Sequence, residues 1–244
     1  MAMLLAASGP AQSAPSLNDR KEKIRSMEKS VDAEALQRKE RSESVLRAEG
    51  VPINKFLPVI ETEKNARRRS SEEIAYRALA LLAVSFKGEG LEQRIVDKII
   101  ADYGLARHLT PRETAFIRNK APSQHERTQF VWRYEAAWVM LWALGYVDKL
   151  EKPTGICDVP RAVKFMRERS TKQFLADAKL RSLTELLDQN DRIYRYHWAV
   201  VDARVNGEKT PAALDSGVTM ERHYALNWLI GYMRQEWDDI TTDT

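Results

Sequence analysis

Cysteine is almost absent from this chain of 244 residues, and its one thiol, that of Cys157, excludes an internal disulfide and any zinc site built from several thiolates. Long apolar runs are missing too. The most apolar stretch, residues 130–145, is shorter than the roughly 18 to 20 residues that span a bilayer, and it carries two charges. Strand-like alternation of useful length and internal repeats are also missing. The sequence therefore predicts neither a membrane span nor β-structure.

The chain also lacks the short motifs that identify common enzyme classes. It has no glycine-rich nucleotide or dinucleotide loop, no serine nucleophile elbow, no histidine pair of the zinc-protease type and no aspartate-rich calcium loop. Basic residues exceed acidic ones only by 39 to 35 and are dispersed, so a nucleic-acid partner is not expected. Arg67, Arg68 and Arg69 form a basic run, which we interpret as a solvated loop, with contact to phosphate or to an acidic partner as the alternative.

What the chain does contain is helical periodicity, which predicts an all-α single domain of about seven to nine helices around a central apolar helix. Ser71 opens one helix, and helix-start signals in which an acid follows three positions after a capping residue occur at Thr110, Ser123 and Ser182. Along the chain we expect a disordered tail over residues 1–18, an exposed charged helix over residues 19–48 and a globular helical domain over residues 49–244.

The first residues leave the destination of the protein open. Residues 2–7 form a short apolar patch and residues 11–13 resemble a cleavage site, but no basic residue precedes the patch. We predict a cytoplasmic protein, with export as the alternative if residues 1–14 are a clipped signal peptide. The sequence predicts no particular cofactor and no oligomeric state.

The central apolar helix carries two charged side chains, Arg133 and Glu135. Successive helical residues are about 100° apart around the axis, so these two side chains point to nearly opposite sides and cannot pair with each other. Burial requires a partner for each. We expect Glu135 to pair with Arg222 or a histidine, and Arg133 to pair with Glu221 or a carboxylate of the C-terminal tail. The resulting hypothesis is a structural charge network.

The alternative is a functional cluster. His197 lies on an apolar helix face, which is typical of a hydrogen-bonded core histidine but also compatible with a ligand or proton-transfer role. Such a cluster could bind a divalent metal or carry out acid–base chemistry in a hydrolase-like enzyme. Its candidate catalytic or metal-binding members are Glu135, His197, His223, Asp238 and Asp239.

Several segments together resemble one family. They are RSESVLRAEGVPINKFLPVIE, RSSEEIAYRALALLAV, RYEAAWVMLWALG, AKLRSLTELLDQNDRIYRYHWAVVDARVNG, ERHYALNWLIGY and WDDITTDT. Their order and spacing are similar to those of the domain of unknown function 4272 family, from about residue 39 to residue 244. The resemblance implies a bacterial single-domain protein and implies no reaction. Because the sequence has no catalytic signature, we expect a non-enzymatic interaction or scaffold protein, for which a protein partner is possible, and the hydrolase-like enzyme is the alternative.

Overall fold

Residues 32–244, the part of the chain that the computed structural model describes, contain ten α-helices and no β-strand. The helices are α1 (Ala33–Ala48), α2 (Ser71–Gly88), α3 (Gln93–Asp102), α4 (Pro111–Arg118), α5 (Gln124–Val131), α6 (Arg133–Ala143), α7 (Val159–Arg167), α8 (Thr171–Asp177), α9 (Leu183–Val205) and α10 (Ser216–Leu229). Only Trp132 separates α5 from α6, so the number is nine if these two are counted as one interrupted helix. The predicted all-α domain is confirmed. The expected tail, the first part of the expected charged helix and the signal-peptide alternative lie outside the described residues.

Side-chain caps fix where several helices begin. The hydroxyl groups of Thr110, Ser123 and Ser182 each accept a hydrogen bond from the backbone N–H three residues later, and the acid at that position accepts one from the cap's own N–H. Ser70 forms the same reciprocal arrangement with Glu73 at the start of α2. Each capping box satisfies backbone donors that the first turn of a helix leaves unpaired, so the three predicted starts are confirmed.

Helix α6 lies at the centre of the core, as the sequence predicts. Its residues from Tyr134 to Ala143 are all buried, and the helix packs against α2 on one side and α10 on another. The apolar segment is nevertheless not one unbroken helix, because a turn at Trp132 separates α5 from α6. Among residues 32–244, no helix combines the length and hydropathy that crossing a bilayer would take.

Helix α1 differs from the exposed helix that we expected over residues 19–48. It packs against α9 and buries Arg38, Glu43 and Leu46. The Arg38 side chain is fully buried and lies 3.3 Å from the Asp188 carboxylate. The periodicity of apolar residues misses this face because charged side chains, rather than apolar ones, form much of it.

The basic run forms a clasp across the end of α10. The backbone N–H groups of Arg67 and Arg69 donate to the carbonyl oxygens of Ile230 and Leu229. The Arg69 guanidinium also donates to the Gln235 carbonyl at 2.9 Å. The solvated-loop interpretation is therefore incomplete, since the side chain of Arg69 and the backbone of the run hold the last helix in place.

The clasp requires glycine at the end of α10. Gly231 has a φ of +66°, and a Cβ there would lie 2.7 Å from the Arg67 carbonyl oxygen. Gly207 has a similar φ of +70° but no atom within 4 Å of such a Cβ. We expect Gly207→Ala to cost about 1 kcal/mol from the left-handed backbone alone, and Gly231→Ala to cost about 3 kcal/mol because the backbones must also separate. Urea unfolding measures both losses, and equal losses would contradict the role of the clasp.

Candidate ligand-binding cavity

Two histidines meet between α9 and α10. The Nδ1 atoms of His197 and His223 are 2.9 Å apart, and both rings are buried, with their planes at 79°. One Nδ1 must donate and the other must accept, so two neutral rings have to adopt opposite tautomers. This contact brings together two of the five residues proposed as a functional cluster.

Burial keeps both rings neutral. Burial, with a smaller contribution from the positive charge of Arg204, lowers the pKa of His197 to about 4. Burial also holds the pKa of His223 well below its ordinary value, and His197 adds to that shift. Desolvation penalises the charged imidazolium, so at neutral pH the pair is a hydrogen-bonded, uncharged unit.

A cavity of about 260 Å³ lies against His223, and we call it the histidine cavity. One wall is the segment from Leu57 to Ile60, which approaches the helices from the connection between α1 and α2. The other lining residues are Asn190, Tyr194, His223, Asn227, Tyr232, Asp243 and Thr244. An apolar wall that faces a few fixed polar groups is typical of small-molecule sites in proteins.

Two buried amides set the polar side of this cavity. Asn190 Nδ2 donates to Asn227 Oδ1 at 2.8 Å, and Asn227 Nδ2 donates to the Thr241 carbonyl at 2.8 Å. Gln235 Oε1 in turn accepts a hydrogen bond from the Thr241 N–H at 3.1 Å. These contacts orient both amides and hold the segment after Thr241 against the cavity, and none of the hydrogen bonds among residues 32–244 uses the oxygen of Asn190.

His223 can offer the cavity either a donor or an acceptor. Its Nδ1 is engaged with His197, so Nε2 is the ring nitrogen that remains for a ligand. If His223 Nδ1 donates to His197, then Nε2 is an acceptor; if His223 Nδ1 accepts, then Nε2 carries the proton. The His223 ring can thus offer either kind of hydrogen bond while it stays uncharged.

The two charged side chains of α6 have separate partners. Arg133 Nη1 is 2.9 Å from Glu221 Oε2, and Arg222 Nε donates to Glu135 Oε2 at 3.0 Å. Of the partners proposed for Arg133 and Glu135, the structure thus has the two that lie on α10. Glu135 also accepts a hydrogen bond from the backbone N–H of Cys157.

Burial affects the chemistry of the groups near these pairs. It raises the pKa of the Glu221 carboxyl, an effect that the charge of Arg133 opposes. It also raises the pKa of the Cys157 thiol, and the nearby charge of Glu135 adds to the increase. Cys157 is therefore an inert thiol rather than an activated nucleophile.

The five residues proposed as a functional cluster do not form one site. Glu135 is paired with Arg222, the two histidines lie at the histidine cavity, and Asp238 accepts a hydrogen bond from the Arg112 N–H at 3.1 Å in a separate, shallower depression. Asp239 is exposed in that same depression. Within residues 32–244, no three His, Cys, Asp or Glu side chains are grouped so that they could hold a metal ion. The hydrolase-like cluster, proposed as the alternative, is thus not assembled from these five residues.

Sequence reasoning placed the histidines but missed much of the cavity. Asn190 lies near the edge of the apolar helix face that carries His197, and Asn227 lies in an otherwise apolar helix. Polar side chains in such positions indicate buried hydrogen bonds, so the sequence contained a signal for these two residues. The wall from Leu57 to Ile60 had none, because it reaches α9 and α10 only through the tertiary fold.

The fold and the site together define an all-α domain with a partly apolar cavity beside an uncharged histidine pair, between its two C-terminal helices. Residues 38–240 match the family described as Domain of unknown function (DUF4272), and this match covers most of the chain. The protein belongs to this family. No curated protein and no solved structure matches the chain.

Proposed function

We propose that the protein is a non-enzymatic binding protein that holds a small uncharged molecule in the histidine cavity. The observation that carries this proposal is the neutral pair of His197 and His223 beside an apolar wall. The expected protein partner stays a prediction, and ligand binding is the form of interaction for which the geometry offers a specific site.

The lining of the cavity favours a ligand without charge. Among the described residues that line it, the one charged side chain is that of Asp243, which is half-buried near the exposed Thr244. An anionic group placed against Leu57 and Val59 would lose its hydration without gaining an ion pair from the described lining residues. A hydroxyl, carbonyl or amide group could instead pair with His223 Nε2 or with the amide oxygen of Asn190.

The same groups are poorly suited to catalysis. A histidine whose pKa lies far below 6.5 is a weak general base at neutral pH. His223 hydrogen-bonds to His197 rather than to a nucleophile, and within residues 32–244 no serine or cysteine lines the cavity. The geometry therefore supports binding and gives no arrangement of nucleophile, base and orienting group.

Benzamide and benzoate provide a direct test, since they have almost the same shape but differ in charge. We expect benzamide to bind with a measurable heat in isothermal titration calorimetry, and benzoate to bind at least about tenfold more weakly because its carboxylate must be desolvated. Both probes are small enough for a cavity of about 260 Å³.

A matched pair of variants locates the binding. Ile60 is a half-buried wall residue, so Ile60→Trp should fill the cavity and abolish benzamide binding. Ile156→Trp enlarges an exposed side chain that does not line this cavity and should leave binding unchanged. Equal binding of benzoate, or binding that survives Ile60→Trp in a folded variant, would contradict the proposal.

A further inference from the structure

A second cavity, of about 250 Å³, lies beside the same two helices, and none of the described residues lines both it and the histidine cavity. We call it the arginine cavity. Arg192 and Arg222 line it from α9 and α10, and Lys152 lines it from the loop between α6 and α7. This cavity is highly charged, whereas the histidine cavity is nearly neutral.

Arg192 has hydrogen-bonding capacity that the described residues leave unused. Its side chain is half-buried, its Nε is inaccessible to water and has no hydrogen-bond partner, and it forms no ion pair with any residue in the range 32–244. A guanidinium presents five N–H donors in a planar fork that matches an oxyanion. Burying unpaired donors costs free energy, so a partner at this position would stabilise the protein.

Arg222 provides a second positive group in the same wall. Only 5% of it is exposed. Its Nε donates to Glu135 and its Nη1 donates to the Glu151 carbonyl at 2.8 Å, which leaves Nη2 with no hydrogen bond inside the described part of the chain. Arg222 is therefore fixed in orientation on one edge while the remaining nitrogen stays available.

The acidic side chains of the cavity are already engaged. Glu49 accepts a hydrogen bond from the Tyr196 hydroxyl at 2.6 Å and lies 3.8 Å from the Lys152 amine. Glu151 lies 3.0 Å from the Lys149 amine. The unused hydrogen-bonding capacity of the cavity consists mainly of donors with positive charge.

We infer that the arginine cavity binds the oxyanion group, phosphate or carboxylate, of a small molecule. Arg192 supplies a bidentate contact to two of its oxygens and Arg222 Nη2 supplies a further donor. The Lys152 amine, which also lies 3.8 Å from the Glu49 carboxylate, adds positive charge. The preference for an anion here is independent of the neutral ligand proposed for the histidine cavity, because the two sites have separate linings.

Thermal unfolding at constant ionic strength tests this site. Sodium phosphate and sodium acetate are each titrated against sodium chloride, so that general screening is matched and only specific binding raises the melting temperature. We expect a saturable rise with at least one of the two anions. Phosphate alone or acetate alone would assign the chemistry of the group, and no rise with either would overturn the inference.

Two variants that remove one positive charge each separate this site from general electrostatics. Arg192→Gln should weaken anion binding by about tenfold or more, as expected for the loss of a charge-assisted pair of hydrogen bonds. Arg94→Gln removes an exposed arginine of α3 outside this cavity and should leave binding unchanged. Retained binding in Arg192→Gln, or equal loss in both variants, would overturn the inference.

Benzamide binding should be unchanged in Arg192→Gln, so failure at one cavity can be told apart from failure at the other.

Discussion

Glu135→Ala is expected to lower the free energy of unfolding by about 3 to 5 kcal/mol, because it leaves the positive charge of Arg222 buried without its partner. The backbone N–H of Cys157 loses its acceptor in the same variant. For a chain of this length the loss corresponds to a fall in melting temperature of about 10 °C. Urea unfolding and thermal unfolding both measure the effect.

A double variant shows whether the unpaired charge is the cause. In Glu135→Gln/Arg222→Met both charges are gone and an amide oxygen still faces Cys157, so we expect less than half of the loss caused by Glu135→Ala. Lys98→Ala breaks an exposed ion pair with Asp102 and should have a much smaller effect than either. If the double variant were as unstable as Glu135→Ala, the loss would come from packing, and the pair would not have the role given to it here.

Acidification from pH 7 to pH 4.5 is expected to destabilise the protein through the histidine pair. An unfolded histidine has a pKa near 6.5, whereas the folded pKa of His197 is about 4, so the unfolded state binds more protons in this range. Stability therefore falls as the pH drops below 6.5 and stops falling once the folded ring also protonates near pH 4. For His197 alone the loss is roughly 2 to 3 kcal/mol, and His223 adds to it in the same direction.

Urea unfolding at several pH values measures this loss. His197→Gln keeps a group that can donate to or accept from His223 but does not titrate, so its stability should depend less on pH. His125→Gln removes an exposed histidine and should behave like the unaltered protein. The carboxylates at the helix caps, such as Glu73 and Glu185, have lowered pKa values and weaken the fold only at more acidic pH. A stability that is flat between pH 7 and pH 5 would contradict the neutral histidine pair.

Local signals in the sequence predicted most of the helical architecture. The capping boxes at Thr110, Ser123 and Ser182 depend on residues within one turn, so the sequence contains all the information needed to place them. Helix α8 was not predicted, because a helix of seven residues with one fully buried side chain, Phe174, shows too little periodicity.

Buried charge was harder to predict than buried apolar surface. Asp191 and Arg195 lie one turn apart on α9 and form a buried bidentate pair, with contacts of 2.8 and 2.7 Å. On the sequence this spacing is typical of an exposed helical pair. Their burial follows from the packing of α1, whose fully buried Arg38 lies against the same face of α9. A pattern based on apolar residues cannot reveal such a face.

The candidate site could likewise be predicted only in part from sequence patterns. The sequence placed His197 on an apolar helix face and named His223 as a candidate beside it, and the structure brings the two together between α9 and α10. It also favoured Glu135, Asp238 and Asp239 as their neighbours, but the sequence holds no information on which helix ends meet. The tertiary fold instead brings Leu57 and Val59 to the histidines and leaves the carboxylates elsewhere.

The most direct test of the binding proposal is nitrogen-15 NMR of the histidine rings, recorded with and without benzamide between pH 7 and pH 5. We predict that His197 and His223 are neutral with complementary tautomers throughout this range, and that benzamide shifts the His223 Nε2 signal but not the signals of His125. A ring of the pair that titrates near pH 6.5, or a His223 signal that benzamide leaves unmoved, would contradict the account.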